Sequence, residues 1–201
     1  MGATMIRYRP TATAQSGFTL IETMIAIAIM SIGILTLIAT FGTAISSTQS
    51  AQEDLIARQK ALEAMESIYT ARNTQQITFA QIANISKGGI FTDGPTPMLS
   101  AGPDGLVNTV DDTNFAASLP CAAVPECIVL PGPDGKLGTP DDVAMSLSNF
   151  NRQIQINTVL EADGVTINPN LKQVVVTVTY TKIGWTQPRI YTVNGLISAF
   201  R

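Results

Sequence analysis

The chain has 201 residues, of which 45% are apolar, so it is long enough for one globular domain with an additional segment. With 12 basic and 15 acidic side chains the net charge is −3, and this near balance gives no reason to expect nucleic-acid binding. The sequence has no histidine, which excludes a histidine-based triad and a histidine-ligated zinc, and it lacks a phosphate loop and a serine elbow, so we expect no enzyme.

The first 17 residues are polar and positively charged. They contain Arg7 and Arg9 but no acidic residue, which predicts that this end stays in the cytoplasm while the chain beyond the next apolar run is translocated. An ordinary secretory signal is the main alternative, but its apolar region has about 7 to 15 residues and a cleavage site after it. Here the apolar region is longer and an acid stands at its start, so we expect a different kind of leader.

An uncharged, mostly apolar run extends from Met24 to Ile45. About twenty such residues are enough to cross the hydrocarbon core of a bilayer as a helix. Glu22 stands at the start of this run, and a carboxylate near hydrocarbon costs about 2.5 to 3.5 kcal/mol on insertion scales. We therefore expect Glu22 to have a partner or to stay wet, and we treat it as a functional candidate.

The sequence Gly17-Phe18-Thr19-Leu20-Ile21-Glu22, followed by MIAIAIMSIGILTLIA, resembles the prepilin signal of type IV pilins and type II secretion pseudopilins. The resemblance implies that a membrane aspartyl peptidase cuts between Gly17 and Phe18 and methylates the new amine of Phe18. Glu22 becomes the fifth residue of the mature chain. The implied partners are other pilin subunits, the prepilin peptidase, the inner-membrane assembly platform and membrane lipid.

Phe18 and Glu22 are four residues apart and share one face of a helix, and an acid in the first turn is favoured by the helix dipole. The carboxylate of Glu22 therefore has two possible partners, the amine of its own subunit or the amine of a neighbour. The second would favour assembly in the membrane and set the axial register between subunits. The family resemblance implies the second.

A single helix is predicted from Phe18 to about Arg72, with a transmembrane half at 18–45 and an amphipathic half at 46–72. No proline falls between Phe18 and Gly94, which agrees with an uninterrupted helix. In the second half, apolar residues recur at sums of three and four, which predicts a stripe packed on the protein's own domain. This stripe contains Ala51, Leu55, Leu62, Met65 and Tyr69.

Residues 73–149 are predicted to form a variable loop region that contains an internal repeat. Gly102–Asp112 is GPDGLVNTVDD and Gly132–Asp142 is GPDGKLGTPDD, with seven of eleven positions identical. Calcium takes six to eight oxygen ligands, which such loops supply, and some pseudopilins that this chain resembles carry a calcium site here. The alternative is that Pro-Asp-Gly forms a β-turn and the acids cap the loop. The candidate calcium ligands are Asp104, Asn108, Asp111 and Asp112 in the first copy and Asp134, Asp141 and Asp142 in the second.

The two cysteines, Cys121 and Cys127, enclose a short segment between the acidic repeats, on the far side of the predicted membrane span. A close pair in an oxidising compartment favours a disulfide, although two unrelated thiols remain open.

Residues 150–201 are predicted to form an antiparallel sheet of three strands, Phe150–Leu160, Leu171–Thr181 and Arg189–Ala199, because apolar and polar residues alternate along them. One apolar face of this sheet must be covered, and the amphipathic half of the helix is the available cover. The expected fold class is therefore α+β, with a long N-terminal helix packed on a small sheet, as in pilins.

We expect a structural subunit of a type IV pilus, most like a minor pilin, with a type II secretion pseudopilin as the near alternative. It would cross the inner membrane once, with its C-terminal domain in the periplasm, and then enter a pilus or pseudopilus. A second class is a single-span, calcium-binding extracytoplasmic protein that never polymerises.

Overall fold

The computed structural model describes residues 17–113, 125–182 and 186–200. A single long helix, α1 (Leu20–Asn73), is followed by strands on the remainder of the chain. This arrangement confirms the predicted α+β class. The strands are β1 (Thr96–Pro97), β2 (Cys127–Leu130), β3 (Val143–Ser146), β4 (Phe150–Leu160), β5 (Ile167–Tyr180) and β6 (Arg189–Ser198).

The chain divides into two compact units, one ending at Thr48 and one beginning at Gln49, and α1 contributes residues to both. In the first unit, every described residue from Gly17 to Thr48 is exposed. This part of α1 is long and apolar enough to cross a membrane, and none of its apolar window is buried within the protein.

Helix α1 ends close to the predicted boundary. The next residues form a turn in which Gln75 has a left-handed backbone (φ 65°) and the Gln76 N–H donates to the carbonyl of Ala71 at 2.9 Å. A left-handed residue just past the last turn is a common way to satisfy the final carbonyl groups of a helix.

In the second unit, α1 packs on the protein core through a narrow seam of mainly small side chains. The fully or nearly buried positions recur every three or four residues, and they are Ala57, Ala61, Ala64, Ile68 and Ala71. The predicted stripe was partly wrong: Met65 is buried, but Leu55 (54% exposed) and Leu62 (45% exposed) are not. Alanine lets the helix approach the sheet closely, and the larger leucines are left beside the seam.

The main sheet has the order β1-β4-β5-β6 and is antiparallel throughout. In the β4–β5 register Ile154 is opposite Val176 and Ile156 is opposite Val174, and all four side chains are buried. Burying each such side chain contributes about 1.5 to 3 kcal/mol. The rings of Phe150 and Tyr180 stack at 4.9 Å on the same face. The predicted alternation therefore identified the core face of these two strands.

Residues 73–149 contain more regular structure than the loops predicted for them. A 3-10 turn occupies Ile85–Lys87, β1 pairs with β4, and β2 pairs with β3 as a separate two-stranded sheet. The second acidic repeat, Gly132–Asp142, connects β2 to β3 and forms the tip of this hairpin.

Candidate assembly site

The start of α1 is fixed by Thr19. Its hydroxyl accepts a hydrogen bond from the backbone N–H of Glu22 at 3.3 Å, and its carbonyl accepts from the N–H of Thr23 at 3.2 Å. Thr19-x-x-Glu22 is the sequence of a capping box, a signal that the sequence interpretation missed. Since the cap places the first helical residue at Leu20, Phe18 lies outside the helix, contrary to the predicted start.

Gly17 and Phe18 precede this cap in irregular backbone. The side chain of Phe18 is 81% exposed, and a Cβ added at Gly17 would meet no heavy atom within 4 Å. Within the described residues, no other part of the chain therefore covers the peptide bond between Gly17 and Phe18.

Glu22 lies in the first turn of α1, where a negative charge is favoured by the helix dipole. Its side chain is exposed, and within the described ranges no hydrogen bond or ion pair reaches its carboxylate. The arrangement thus presents one acid at the end of an apolar rod, available to a partner outside the chain.

The rest of the apolar rod offers no unpaired hydroxyl. Between Leu20 and Ile45, each serine or threonine donates to a backbone carbonyl three or four residues earlier in its own helix. These residues are Thr23, Ser31, Thr36, Thr40 and Thr43. Because polar groups in hydrocarbon must be satisfied internally, this pattern suits a helix in lipid or among other apolar helices.

The two acidic repeats form two separate loops with the same conformation and equivalent hydrogen bonds. Asp104 accepts from the N–H of Leu106 at 2.8 Å, and Asp134 accepts from that of Lys136 at the same distance. The last acid of each repeat accepts a backbone N–H at 2.6 Å, from Asn108 to Asp112 and from Gly138 to Asp142. Asp111 and Asp141 each accept from the threonine two residues earlier at 2.7 Å. These bonds agree with the alternative prediction, in which the acidic side chains cap the loop by accepting hydrogen bonds from its backbone N–H groups.

The two loops differ in their surroundings. In the first, Leu106, Val107 and Asn108 are buried against the domain, whereas their counterparts Lys136, Leu137 and Gly138 are exposed. Burial raises the pKa of Asp112, although bonds from Thr109 and the backbone oppose this. Hydrogen bonds from Thr139 and the backbone lower the pKa of the exposed Asp141.

The candidate calcium ligands lie in these loops, but across the described ranges no three acidic or cysteine side chains converge in the manner of a metal site. In the first loop the positive charge of Arg152 also acts on Asp112. A cation there would have to compete with the loop's own N–H donors and with this guanidinium. The calcium hypothesis stays a prediction.

A comparison with known protein families matches residues 13–38 to the prokaryotic N-terminal methylation motif. The chain carries the type IV pilin and pseudopilin signature. The match supports the predicted prepilin cleavage and N-methylation, and the matched range includes Gly17, Phe18 and Glu22. The exact cleavage position, the methylation of Phe18 and the role of Glu22 stay predictions. No curated protein and no solved structure matches the chain.

The signature ends before the second unit, so the pilin-like head is known from its structure alone. Its two cysteines were predicted to pair. Cys127 begins β2 and is disulfide-bonded, while Cys121 lies outside the described residues. The pairing of Cys121 with Cys127 therefore stays a prediction.

A buried polar network in the pilin-like head was not found from the sequence. The Asn108 side chain accepts from Nε of Arg152 at 2.5 Å and donates to the Arg152 carbonyl at 3.0 Å. Burial lowers the pKa of the Arg152 guanidinium. This network attaches the first acidic loop to β4, and no spacing along the chain indicates it.

A second polar contact joins α1 to the base of the β2–β3 hairpin. Lys60 forms ion pairs with Glu63 at 2.8 Å and with Glu126, which precedes Cys127. Burial acts to lower the pKa of Lys60, but hydrogen bonds to Glu126 and Glu63 outweigh it and the pKa is raised. Lys60 therefore stays charged and holds this base against the helix.

Proposed function

We propose that the protein is a structural subunit of a type IV pilus, most like a minor pilin. It is made as a precursor in the inner membrane, cut between Gly17 and Phe18, methylated at Phe18 and assembled through its N-terminal helix. The observation that carries this proposal is the methylation motif at residues 13–38 on an exposed apolar helix with one acid at its start.

In this proposal the carboxylate of Glu22 pairs with the methylated amine of Phe18 on a neighbouring subunit. The dipole of α1 stabilises the negative charge of Glu22 at this position. A hydrogen-bonded ion pair between this carboxylate and the positively charged amine is strong and directional where little water is present. The partners are other pilin subunits, the prepilin peptidase, the assembly platform and membrane lipid. The head faces the periplasm and reaches the cell surface in the filament.

The test is mass spectrometry of the mature protein purified from its native membrane. A chain that starts at methylated Phe18 is the expected result. An intact leader, or a start near Ile45, would overturn the proposal and favour the second candidate, a single-span binding protein stabilised by calcium.

A type II secretion pseudopilin has the same signature and the same processing. Immunolabelling of sheared surface fibres separates the two functions, because a pilus subunit is expected in those fibres. A subunit found only in the periplasmic space of cells with an active secretion system would favour the pseudopilin.

A further inference from the structure

The two edges of the main sheet are protected differently. On β4, the carbonyl of Arg152 accepts from Thr96 and Asn108 at 3.2 and 3.0 Å. Asn84 donates to the carbonyl of Ile154 at 2.8 Å and accepts the N–H of Ile156 at 2.9 Å. The short strand β1 pairs with β4 at Asn151 and Arg152, and side chains occupy the outer backbone groups of Ile154 and Ile156, so this side of the sheet is closed to a further strand.

The other edge, β6, is closed only at its end. The N–H of Ala199 donates to Asn170 on the β5 side, so by alternation the even-numbered residues of β6 point their backbone groups away from β5. Tyr69 caps the outward carbonyl of Leu196 at 2.9 Å. Within the described ranges, no hydrogen bond from outside the sheet reaches the outward backbone groups of Ile190, Thr192 and Asn194.

The open stretch of β6, from Ile190 to Asn194, lacks the usual protections of an edge strand, although β6 begins with the charged Arg189. From Ile190 to Phe200 the sequence IYTVNGLISAF contains no charged residue and no proline. Natural proteins normally protect a long exposed edge with lysine, proline, a bulge or a covering segment. An unprotected edge of this kind is suited to pairing with another strand.

A groove of about 390 Å³ runs beside the open edge, between α1 and β6. Its apolar lining includes Leu55 and Ile190, which are 54% and 66% exposed. Arg58 also lines it and has no ion pair among the described residues, whereas the neighbouring Asp54 is already bonded to Tyr180 and Arg189. The groove therefore fits an extended segment with an apolar side chain next to a carboxylate.

The β2–β3 hairpin with the second acidic repeat at its tip, Cys127–Ser146, provides such a segment; we refer to it as the arm. Among the described residues, β3 pairs with β2 and with no other strand. The N–H of Leu147 donates to Glu126 on the β2 side, so by alternation Ala144 and Ser146 direct their backbone groups outward. Asp141 and Asp142 directly precede Val143, which is 56% exposed. The repeat in the arm also exposes the positions that the first repeat buries against the domain.

We propose that the arm of one copy docks on the β6 edge of a second copy, with β3 added to the sheet beside Ile190, Thr192 and Asn194. Val143 covers the apolar groove, and the carboxylates beside it lie near Arg58. The contact joins two different surfaces, so it can repeat along a filament, whereas pairing of β6 with β6 would close after two copies. This docking proposal rests on the proposed function and adds a contact between the heads of two subunits.

The test places a photoreactive benzoylphenylalanine at Val143 of the full-length protein in its native cells. Copies with different nitrogen isotopes are mixed, so that contacts between chains are distinguished by mass. The expected cross-link joins the arm to the tryptic peptide Ile190–Arg201 of another copy. The matched control carries the same group at Val165, which is 81% exposed in the turn between β4 and β5.

Filaments whose arms give no more of this cross-link than the Val165 control would overturn the docking contact and leave the proposed function standing. The cross-link without filaments would support the contact and overturn the filament function. Reversal of charge at Arg58 (Arg58→Glu) should lower the cross-link yield about two- to fivefold, as for an exposed ion pair, while Arg58→Lys should retain it. Equal yields in both variants would contradict the assigned partner of Arg58.

Discussion

Tyr180 shows how a single residue combines burial with a polar contact. Its ring stacks on Phe150 in the core, while its hydroxyl donates to the carboxylate of Asp54, which also binds Arg189 at 3.0 Å. Burial, followed by the hydrogen bond to Asp54, raises the pKa of Tyr180 to about 12. The fold therefore favours the neutral phenol.

The pH dependence of stability follows from this shift. The contribution of neutral Tyr180 is fully present below the unfolded pKa of about 10 and is lost as the pH rises through the folded pKa. We predict that the free energy of unfolding falls more steeply between pH 10 and 12 in the wild type than in Tyr180→Phe. Denaturant titration of the full chain in detergent measures this. Equal slopes for the wild type and Tyr180→Phe would contradict the prediction.

At the scale of elements, the two acidic repeats have the same backbone conformation. At one left-handed position of this backbone the two repeats carry different residues. Asn108 has φ 60° and Gly138 has φ 87°, and asparagine and glycine both tolerate this region. Only Asn108 has a second task, because its side chain pairs with the buried Arg152. The repeat thus supplies its own matched control.

We predict that Asn108→Gly destabilises the head by about 2 to 4 kcal/mol, because it keeps the turn but removes the acceptor of Nε on the buried Arg152 guanidinium, whose Nη2 keeps only a longer bond to the carbonyl of Leu99 at 3.4 Å. Gly138→Asn should change the free energy of unfolding by less than about 0.5 kcal/mol, since that position is exposed. Denaturant unfolding of both variants tests the difference. Equal effects would mean that the first loop is held by its turn rather than by Arg152.

The calcium hypothesis also belongs to these loops. Under this hypothesis, calcium should raise the melting temperature of the head over that measured with chelator, because a ligand that binds only the folded state stabilises it. Asp134→Asn combined with Asp141→Asn should abolish any contribution of the second loop. A melting temperature that is the same with calcium and with chelator would remove the hypothesis.

The sequence predicted those elements whose pattern is long and local. Glu22 was found because a charge interrupts an apolar run, and β4 was found because Ile154 and Ile156 alternate with glutamines. The seam of α1 was misplaced, since apolar size favoured Leu55 and Leu62 while close packing on a sheet selects alanines. The short strands β1 to β3 carry too little pattern. The partners of Arg152 depend on residues more than forty positions away, which no local pattern contains.

For the whole molecule, the decisive prediction concerns Glu22. Glu22→Ala should leave membrane insertion and cleavage after Gly17 largely intact, because the apolar run and the cleavage site are unchanged. It should strongly reduce incorporation into filaments, because the acid no longer matches the amine of a neighbour. Immunoblots of membranes and of sheared filaments measure both steps. Wild-type filament yield from this variant would contradict the pairing role.

The hydroxyl groups of the apolar rod bond back to their own helix, and this has a mechanical consequence for a fibre built as proposed. The helices of neighbouring subunits would then meet through apolar surfaces without directional bonds. Such surfaces resist neither rotation of one helix against another nor a small axial displacement. Only the ion pair made by Glu22 at the start of each helix would fix the axial position of a subunit. Such a fibre should stretch and twist under load and return to its original spacing when the load is removed.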